Sequence, residues 1–178
     1  MDAQKSAVIF CSASFSIAPE YNEVAREVVR ATAAKGYAIV SGGTIKGTMK
    51  VVADEASACG TGNIGIIPRY MEQYLYPNLT ELIWTDSLSE RKVLMRRRGA
   101  DLAVTLPGGI GTLDEFFETY TLAKLGLYKG KIVVYNFNGF YDRLRDMMDF
   151  YVSTGMLDSA TRSLVHFPET IQEYESLI

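Results

Sequence analysis

The sequence predicts the α/β fold class: one doubly wound domain over residues 1–178, with a parallel sheet covered by helices on both faces. Short apolar runs alternate with longer stretches of helical periodicity, an alternation typical of βαβ units. The composition, 48% hydrophobic and 22% charged, is that of an ordinary globular protein. No internal repeat, low-complexity tract or interdomain linker interrupts the pattern.

Strands are expected where short apolar runs are bounded by glycine, proline or polar residues. These runs are residues 6–11, 37–40, 63–67, 81–84, 102–106 and 132–135. Pro68 ends the third run, because proline cannot donate a hydrogen bond within a central strand. Residues 70–78 are rich in tyrosine and are expected to form an irregular loop.

Longer periodic segments predict the helices that connect the strands or follow the last one. These segments are residues 19–35, 47–59, 87–98, 111–125, 139–153 and 169–177. The first has Gly36 as its stop signal, and the fifth is amphipathic. The third begins with Ser87 and Glu90, which have the spacing of a capping box. Helices of this length between buried strands favour parallel crossover connections.

Charge and composition narrow the function classes. A net charge of -3 provides no basic field for nucleic acid or an anionic membrane, so neither is expected as a partner. Two cysteines are too few for a disulfide framework, and no apolar run reaches the roughly 20 residues that span a bilayer. With a polar start at residues 1–5, the expected location is the cytoplasm. The single histidine, His166, argues against a multi-histidine metal site and is expected to be structural. No metal or organic cofactor is expected.

The most informative segment, residues 107–115, joins the fifth strand to the fourth helix. Glycines at 108, 109 and 111 allow backbone N–H groups to approach an anion closely. The first N–H groups of the helix lack intrahelical partners and lie at the positive end of its dipole, and Thr112 adds a hydroxyl donor. At the carboxyl end of a parallel strand, this combination predicts a phosphate site. The alternative is a tight turn at Gly108 and Gly109, with Thr112 as a helix cap.

Glu115 lies one turn from this loop and is the candidate for the reacting group. The apolar positions of the same helix follow the i, i+3, i+4, i+7 rule and should face the core: Leu113, Phe116, Phe117 and Tyr120. Glu115 lies off that stripe and can reach whatever a bound phosphate is attached to. Asp114 is expected to complement the helix dipole, and Glu118 is expected to be solvated.

Arg91 shares one face of the third helix with Leu88 and Met95 and interrupts an apolar stripe. A buried guanidinium is costly without an anionic partner, and Glu115 or a ligand phosphate is the natural candidate. The alternative, which spacing alone slightly favours, is that Arg91 extends along the stripe to reach water. The basic run at residues 96–98 is expected to be a solvated helix end rather than a nucleic-acid patch.

A second glycine turn, residues 41–49, follows the second strand. It has the G-x-x-x-x-G spacing of a P-loop, but Thr48 stands where the lysine should be. It also lacks the G-x-G-x-x-G pattern of a dinucleotide fold. We expect it to line the same crevice as the first glycine loop.

Two motifs resemble the Lonely Guy (LOG) family of nucleotide phosphoribohydrolases. Residues 107–115 read P-G-G-I-G-T-L-D-E, similar to the family's P-G-G-x-G-T-x-x-E, and residues 91–95 read R-K-V-L-M, similar to its R-K-x-x-M. The resemblance covers most of the chain, from residue 8 to residue 141. Such proteins are often labelled lysine decarboxylases, a label that fits poorly because no lysine here stands among the usual partners of pyridoxal phosphate.

The resemblance implies a homodimeric, Rossmann-like enzyme that hydrolyses the N-glycosidic bond of a nucleoside 5′-monophosphate. The products would be ribose 5-phosphate and a free base, either adenine or a cytokinin such as isopentenyladenine. Arg91 and Glu115 match the family's catalytic pair. The positions that would bind substrate are Lys92, Gly108, Gly109, Gly111, Thr112, Asp114 and Thr121. A carboxylate suits this chemistry because glycosidic cleavage passes through an oxocarbenium-like state.

The chain departs from the family pattern at several positions. Thr44 and Lys50 replace glycines of the second turn, and Ser12 replaces a glycine after Cys11. Leu122 and Lys124 replace the tryptophan and glutamine of the family's T-W-x-Q-L. These positions lie around the base and the crevice, so they bear on the preferred base more than on phosphate binding.

Two other functions remain open. Molybdenum-cofactor carrier proteins share the expected fold and a similar glycine loop, and they bind without turnover. The R-K-x-x-M element favours the hydrolase over the carrier. A nucleotide sensor acting through a partner would likewise bind nucleotide without cleaving it.

Overall fold

The computed structural model describes residues 4–178, in which seven strands form one parallel sheet. Residues 1–3 of the polar start lie outside the described residues. The strands are β1 (Ser6–Phe10), β2 (Ala38–Ser41), β3 (Asn63–Pro68), β4 (Glu81–Thr85), β5 (Leu102–Thr105), β6 (Lys131–Val134) and β7 (Val165–His166). Their order across the sheet is β4-β3-β2-β1-β5-β6-β7, with every neighbouring pair parallel.

Helices cover both faces of this sheet. They are α1 (Pro19–Ala34), α2 (Gly47–Ala58), α3 (Leu88–Arg98), α4 (Ile110–Lys124), α5 (Asp142–Ser153), α6 (Ser159–Arg162) and α7 (Ile171–Leu177). Side chains of α1, α2 and α7 contribute to the core on one face, and those of α3, α4 and α5 contribute to the core on the other. The predicted α/β class with a doubly wound parallel sheet is therefore confirmed.

The strand order places a topological switch point at the middle of the sheet. From β1 the chain moves outward through β2 and β3 to β4, and then returns to place β5 on the opposite side of β1. The connections after β1 and β5 therefore diverge, and they leave a crevice outside the carboxyl ends of these two strands. Open α/β sheets bind their ligands in such a crevice.

Several predicted elements need correction. Part of the expected irregular loop, Arg69–Tyr74, is a 3₁₀ helix. The fifth helix begins at Asp142 rather than 139, because Asn138 and Gly139 have φ of 50° and 72°, in the left-handed region that no α-helix continues. The two short elements α6 and β7 were not predicted; four and two residues are too few for a periodic signal.

Two details of α3 and α4 also differ from expectation. Ser87 caps α3 by accepting from the Glu90 N–H at 3.1 Å, but the Glu90 carboxylate accepts from Asp86 N–H, so the capping box is incomplete. Leu88 is 51% exposed and Phe117 is 37% exposed, so neither belongs to the buried stripe of its helix. Within the described residues, no helix combines the length and hydropathy that crossing a membrane requires.

Candidate active site

The glycine loop between β5 and α4 lies at the switch point. Leu106 anchors its start: the Leu106 N–H donates to Phe10 O at 2.9 Å, and the Tyr141 hydroxyl donates to Leu106 O at 2.8 Å. Gly109 is the N-cap of α4, and no side chain of residues 4–178 caps this helix. The N–H groups of its first turn therefore lie at the positive end of the dipole and are available to an anion.

The three loop glycines differ in how much space lies beside them. A Cβ on Gly108 would lie 2.2 Å from Thr112 Oγ1, so packing within the loop requires glycine there. A Cβ on Gly109 or Gly111 would meet no atom of the described chain within 4 Å. The tight-turn alternative therefore accounts for Gly108 alone, whereas the open space beside Gly109 and Gly111 is what a bound ligand would need.

Thr112 does not offer its hydroxyl to the crevice, so that prediction is wrong. The residue is 3% exposed, and its Oγ1 donates to Cys11 O at 3.0 Å. This bond ties the first turn of α4 to the end of β1. The alternative that Thr112 caps the helix is wrong as well, and only its backbone N–H is placed to meet an anion.

Arg91 is buried, so the alternative that its side chain reaches water is wrong. It is 6% exposed, and its Nε donates to Ile66 O at 2.9 Å. Its Nη1 lies 3.8 Å from Glu115 Oε1. The buried guanidinium thus has the anionic partner that its burial requires.

Glu115 is buried as well, with only 12% of its side chain exposed. Burial raises the pKa of Glu115 from 4.5 to about 7, although the charge of Arg91 opposes the change. Asp114 and Glu118 raise this pKa further, and Lys92 lowers it. A carboxyl group that titrates near neutral pH in a crevice is typical of a catalytic acid or base.

Lys92 is engaged by two acidic side chains of α4. Its Nζ lies 2.8 Å from Asp114 Oδ2 and 2.8 Å from Glu118 Oε2. Glu118 also lies 2.8 Å from Arg96 Nη2, so the expectation that Glu118 is solvated is wrong. Arg96 is 7% exposed, which contradicts the expected solvated helix end at this residue, whereas Arg97 and Arg98 are exposed as expected.

The second glycine turn contacts Arg91, as predicted for a turn that lines the same crevice. A Cβ on Gly42 would lie 1.8 Å from Arg91 Nη2, and Met49 Sδ lies 3.8 Å from the same nitrogen. On the other side of the glycine loop, a pocket of about 230 Å³ is lined by apolar side chains and by the turns that follow β1 and β5. Its lining includes Tyr21, Phe140, Gly108 and Gly109.

Two candidate residues lie apart from this group. Thr121 is exposed on α4, nine residues beyond Thr112 and therefore about 13 Å along the helix. His166 is in β7, two strands away from β5. Among residues 4–178, no group of three or more His, Cys, Asp or Glu side chains is arranged to hold a metal ion.

Sequence reasoning missed the partnership of Arg96 with Glu118. The signal was present in each helix separately: Arg96 follows Lys92 by four residues, and Glu118 follows Glu115 by three. What could not be read is that these two helix faces meet, because that depends on how α3 and α4 pack on the sheet.

Comparisons with known proteins identify the family of this chain. The family model described as "Possible lysine decarboxylase" matches residues 49–177. A relative from Mycobacterium tuberculosis (strain ATCC 25618 / H37Rv), named cytokinin riboside 5′-monophosphate phosphoribohydrolase, is 38% identical over 149 residues, which are 83% of this chain and 79% of the relative. The chain belongs to the LOG family. A relative of the same name from Rhodococcoides fascians is 34% identical over 164 residues, 90% of this LOG chain and 82% of the relative.

Solved structures agree on the fold. A structural genomics target named TM1055 superposes on the LOG chain with a TM-score of 0.73 at 25% identity, covering 97% of this chain and 96% of the target. The molybdenum cofactor carrier protein of Chlamydomonas reinhardtii has a TM-score of 0.68 at 19% identity, covering 98% and 95%. The second likeness shows a shared fold alone.

Proposed function

We propose that this protein hydrolyses the N-glycosidic bond of a nucleoside 5′-monophosphate, either a cytokinin riboside monophosphate or AMP. The products are the free base and ribose 5-phosphate. The observation that carries the proposal is the buried pair of Arg91 and Glu115, one turn from an uncapped helix N-terminus. The printed names of the relatives support the substrate class.

The phosphate binds at the glycine loop in this proposal. Backbone N–H groups in the first turn of α4, at Gly111 and Thr112, meet its oxygens, and the missing Cβ atoms of Gly109 and Gly111 leave room for it. Gly108 keeps the loop packed on Thr112. An anchored phosphate holds the ribose over Glu115, which supplies orientation for the reaction.

Glu115 acts on the ribosyl centre. As the bond from C1′ to the base breaks, the base leaves with the electron pair and takes up a proton, and positive charge develops on the sugar ring. The ionised carboxylate stabilises that charge and accepts a proton from the water that adds to C1′. This proton then passes to the departing base through solvent, which regenerates the carboxylate. The contact between Arg91 and Glu115 favours a role for Arg91 in orienting the carboxylate rather than in binding phosphate.

In this proposal Lys92 and Asp114 separate from each other when substrate binds, and each then contacts the substrate. Asp114 is 58% exposed, so a ribose hydroxyl or phosphate oxygen can replace it beside Lys92 Nζ. Lys92 retains its contact with Glu118 when this happens. The substrate thereby gains a charged hydrogen-bond donor, and no buried charge is left without a partner.

The proposed assembly is a homodimer through the outer face of α4. Ile110 and Leu125 are 85% and 64% exposed, and helical spacing places them on one face with the half-exposed Phe117. Thr121 lies on that same face. Because Thr121 is remote from the glycine loop of its own chain, a second copy is the arrangement that can bring it to a substrate.

The proposed location is the cytoplasm, where phosphorylated nucleosides are held. Nucleic acid and membrane are not proposed as partners, because the net charge of -3 attracts neither.

The test of the function is base release from purified protein. AMP, N6-isopentenyl-AMP and adenosine are incubated with the enzyme, and free base is followed by chromatography. We expect release from one or both nucleotides and at least a hundredfold lower rate with adenosine, because the nucleoside lacks the anchoring phosphate. Tight binding of the nucleotides with no release of base would overturn the hydrolase proposal in favour of a carrier or a sensor.

A further inference from the structure

Three close ion pairs join α3 to α4 beside the reactive pair. Lys92 contacts Asp114 and Glu118, and Arg96 contacts Glu118, each with a nitrogen–oxygen distance of 2.8 Å. We call these four residues the α3–α4 ion ladder. Glu118 is its central member, because one carboxylate oxygen faces Lys92 and the other faces Arg96.

The reactive pair itself is held more loosely. Arg91 Nη1 and Glu115 Oε1 are 3.8 Å apart, beyond hydrogen-bond distance. The hydrogen bond from Arg91 to Ile66 O fixes the arginine, whereas no side chain of residues 4–178 donates a hydrogen bond to the Glu115 carboxylate. The ladder joins α3, which carries Arg91, to α4, which carries Glu115.

We infer that Glu118 is a positioning residue for Glu115, acting through Lys92 and Arg96. It fixes the separation of the two helices and the balance of charge around the reactive carboxylate. This inference rests on the proposed hydrolase function, and it adds a residue that does not itself contact substrate.

The burial of Arg96 supports this role. Only 8% of its side chain is exposed, and Glu118 is the carboxylate at 2.8 Å from its guanidinium. Burial raises the pKa of Glu118, but the contacts from Lys92 and Arg96 outweigh that effect and leave the pKa below its ordinary value. Glu118 is thus ionised at neutral pH, and its negative charge lies three residues from Glu115 on the same helix.

The charged and titratable groups around Glu115 come from three elements. α3 contributes Arg91 and Lys92, and Arg96 lies one turn further; α4 contributes Asp114 and Glu118; and the end of β1 contributes Cys11. Burial and the charge of Glu115 raise the pKa of the Cys11 thiol, so it stays neutral. Removing the charge of Glu118 makes the surroundings of Glu115 more positive, whereas removing the charge of Arg96 makes them more negative.

The experiment compares Glu118→Gln and Arg96→Gln with a matched control, Glu55→Gln. Glu55, whose side chain is 11% exposed, forms an ion pair with the more exposed Arg30 at 2.7 Å, but between α1 and α2 on the opposite face of the sheet. The pKa of Glu115 is measured by carbon-13 titration of its side-chain carboxyl, and kcat and KM for the nucleotide are measured from pH 5 to 9.

We expect the two ladder variants, Glu118→Gln and Arg96→Gln, to shift the pKa of Glu115 in opposite directions. Its pKa should fall in Glu118→Gln and rise in Arg96→Gln, and the acid limb of kcat should move with it. In both variants the plateau kcat should fall about tenfold through misplacement of the carboxylate. KM should stay within twofold of the wild type in Arg96→Gln, because Arg96 contacts Glu118 rather than the substrate-binding Lys92. Glu55→Gln should leave the pKa, kcat and KM unchanged.

Loss of folding alone would not shift the pKa of Glu115 in opposite directions in the two ladder variants. Shifts of the Glu115 pKa in one common direction, or no shift in either ladder variant, would overturn the inference. Equal losses of kcat in Glu55→Gln would overturn it as well. If the wild type releases no base, the proposed function fails, and the carboxyl titration still decides whether Glu118 and Arg96 control Glu115.

Discussion

Two buried side chains of opposite charge define this site at the scale of single residues. Glu115 is too buried to ionise at its ordinary pKa, and Arg91 is close enough to favour ionisation without cancelling the effect of burial. Burial is the largest influence on the pKa of Glu115. The opposing effects of burial and Arg91 leave the Glu115 carboxyl group close to half ionised at neutral pH. A small change in its surroundings therefore alters its charge.

The rate should therefore depend on pH through Glu115. Because the ionised form stabilises the developing positive charge, kcat should rise with pH and reach half of its plateau near pH 7. The measurement is base release from pH 5 to 9 under saturating nucleotide. A profile that is already flat at pH 5 would contradict the assignment, because a carboxyl with an ordinary pKa would then be acting.

Gly42 should control the position of Arg91. A Cβ there would lie 1.8 Å from Arg91 Nη2, so Gly42→Ala must displace the guanidinium. We expect kcat to fall about tenfold or more, with little change in KM, because such misplacement acts on the reacting groups.

The contrasting variant is Gly109→Ala, in a position where no atom of the described chain lies within 4 Å of the new Cβ. The protein should fold normally, but KM should rise because the methyl group occupies the space proposed for phosphate. Steady-state kinetics separate the two effects. A normal KM in Gly109→Ala would argue that no ligand approaches this glycine.

The sequence predicted the positions of those site residues whose placement depends on a single helix or a single loop. The glycines at 108, 109 and 111 and the position of Glu115 follow from local spacing. The burial of Arg91 and the bond from Thr112 to Cys11 O could not be read, because both depend on which elements lie across the crevice. Spacing on one helix even favoured the wrong placement of Arg91.

At the scale of elements, β5 and α4 together build the proposed anion site. Leu106, the buried residue that follows β5, has its carbonyl held by the Tyr141 hydroxyl, so the direction in which the chain enters α4 is fixed. The hydroxyl comes from the turn before α5, on the same face of the sheet as α4. The loop geometry is therefore set by a tertiary contact as well as by its glycines.

Tyr141→Phe should weaken this anchoring. The Leu106 carbonyl would lose its side-chain donor, and the free energy of unfolding should fall by about 1 kcal/mol. Urea denaturation measures the loss. If the stability of the variant equals that of the wild type, the hydrogen bond contributes nothing to the loop anchor.

Most elements of the fold could be predicted because apolar strands and periodic helices are local signals. The six predicted strands agree with β1 to β6 within one residue at either end. The start of α5 escaped prediction because the left-handed Gly139 lies at the beginning of a segment whose pattern looks helical. β7 escaped because it is two residues long and is defined by pairing with β6.

For the whole molecule, the strand order explains why the site lies where it does. The turns after β1, β2 and β5 and the starts of α3 and α4 all converge at the carboxyl edge of the sheet. Residues far apart in sequence, such as Gly42, Arg91 and Glu115, meet there as a result. Only the parallel, doubly wound topology brings them together.

The proposed homodimer is tested at the scale of the whole molecule. Replacing the exposed Leu125 with glutamate should weaken association through the outer face of α4, because a charge would be buried in an apolar contact. Light scattering after size-exclusion chromatography should show a dimer for the wild type and a monomer for Leu125→Glu. Leu164→Glu, at an exposed leucine in the segment between α6 and β7, serves as the control and should remain dimeric. A monomeric wild type would contradict the proposal.

The measurement that tests the central claim most directly is base release by Glu115→Gln. Ionising Glu115 costs folding stability as the pH rises through about 7, so the neutral glutamine should leave the protein folded at pH 8. Chromatography should detect base from the wild type, and at least a thousandfold slower release from a variant that still binds N6-isopentenyl-AMP in a calorimeter. Unchanged turnover by folded Glu115→Gln would show that another group performs the chemistry.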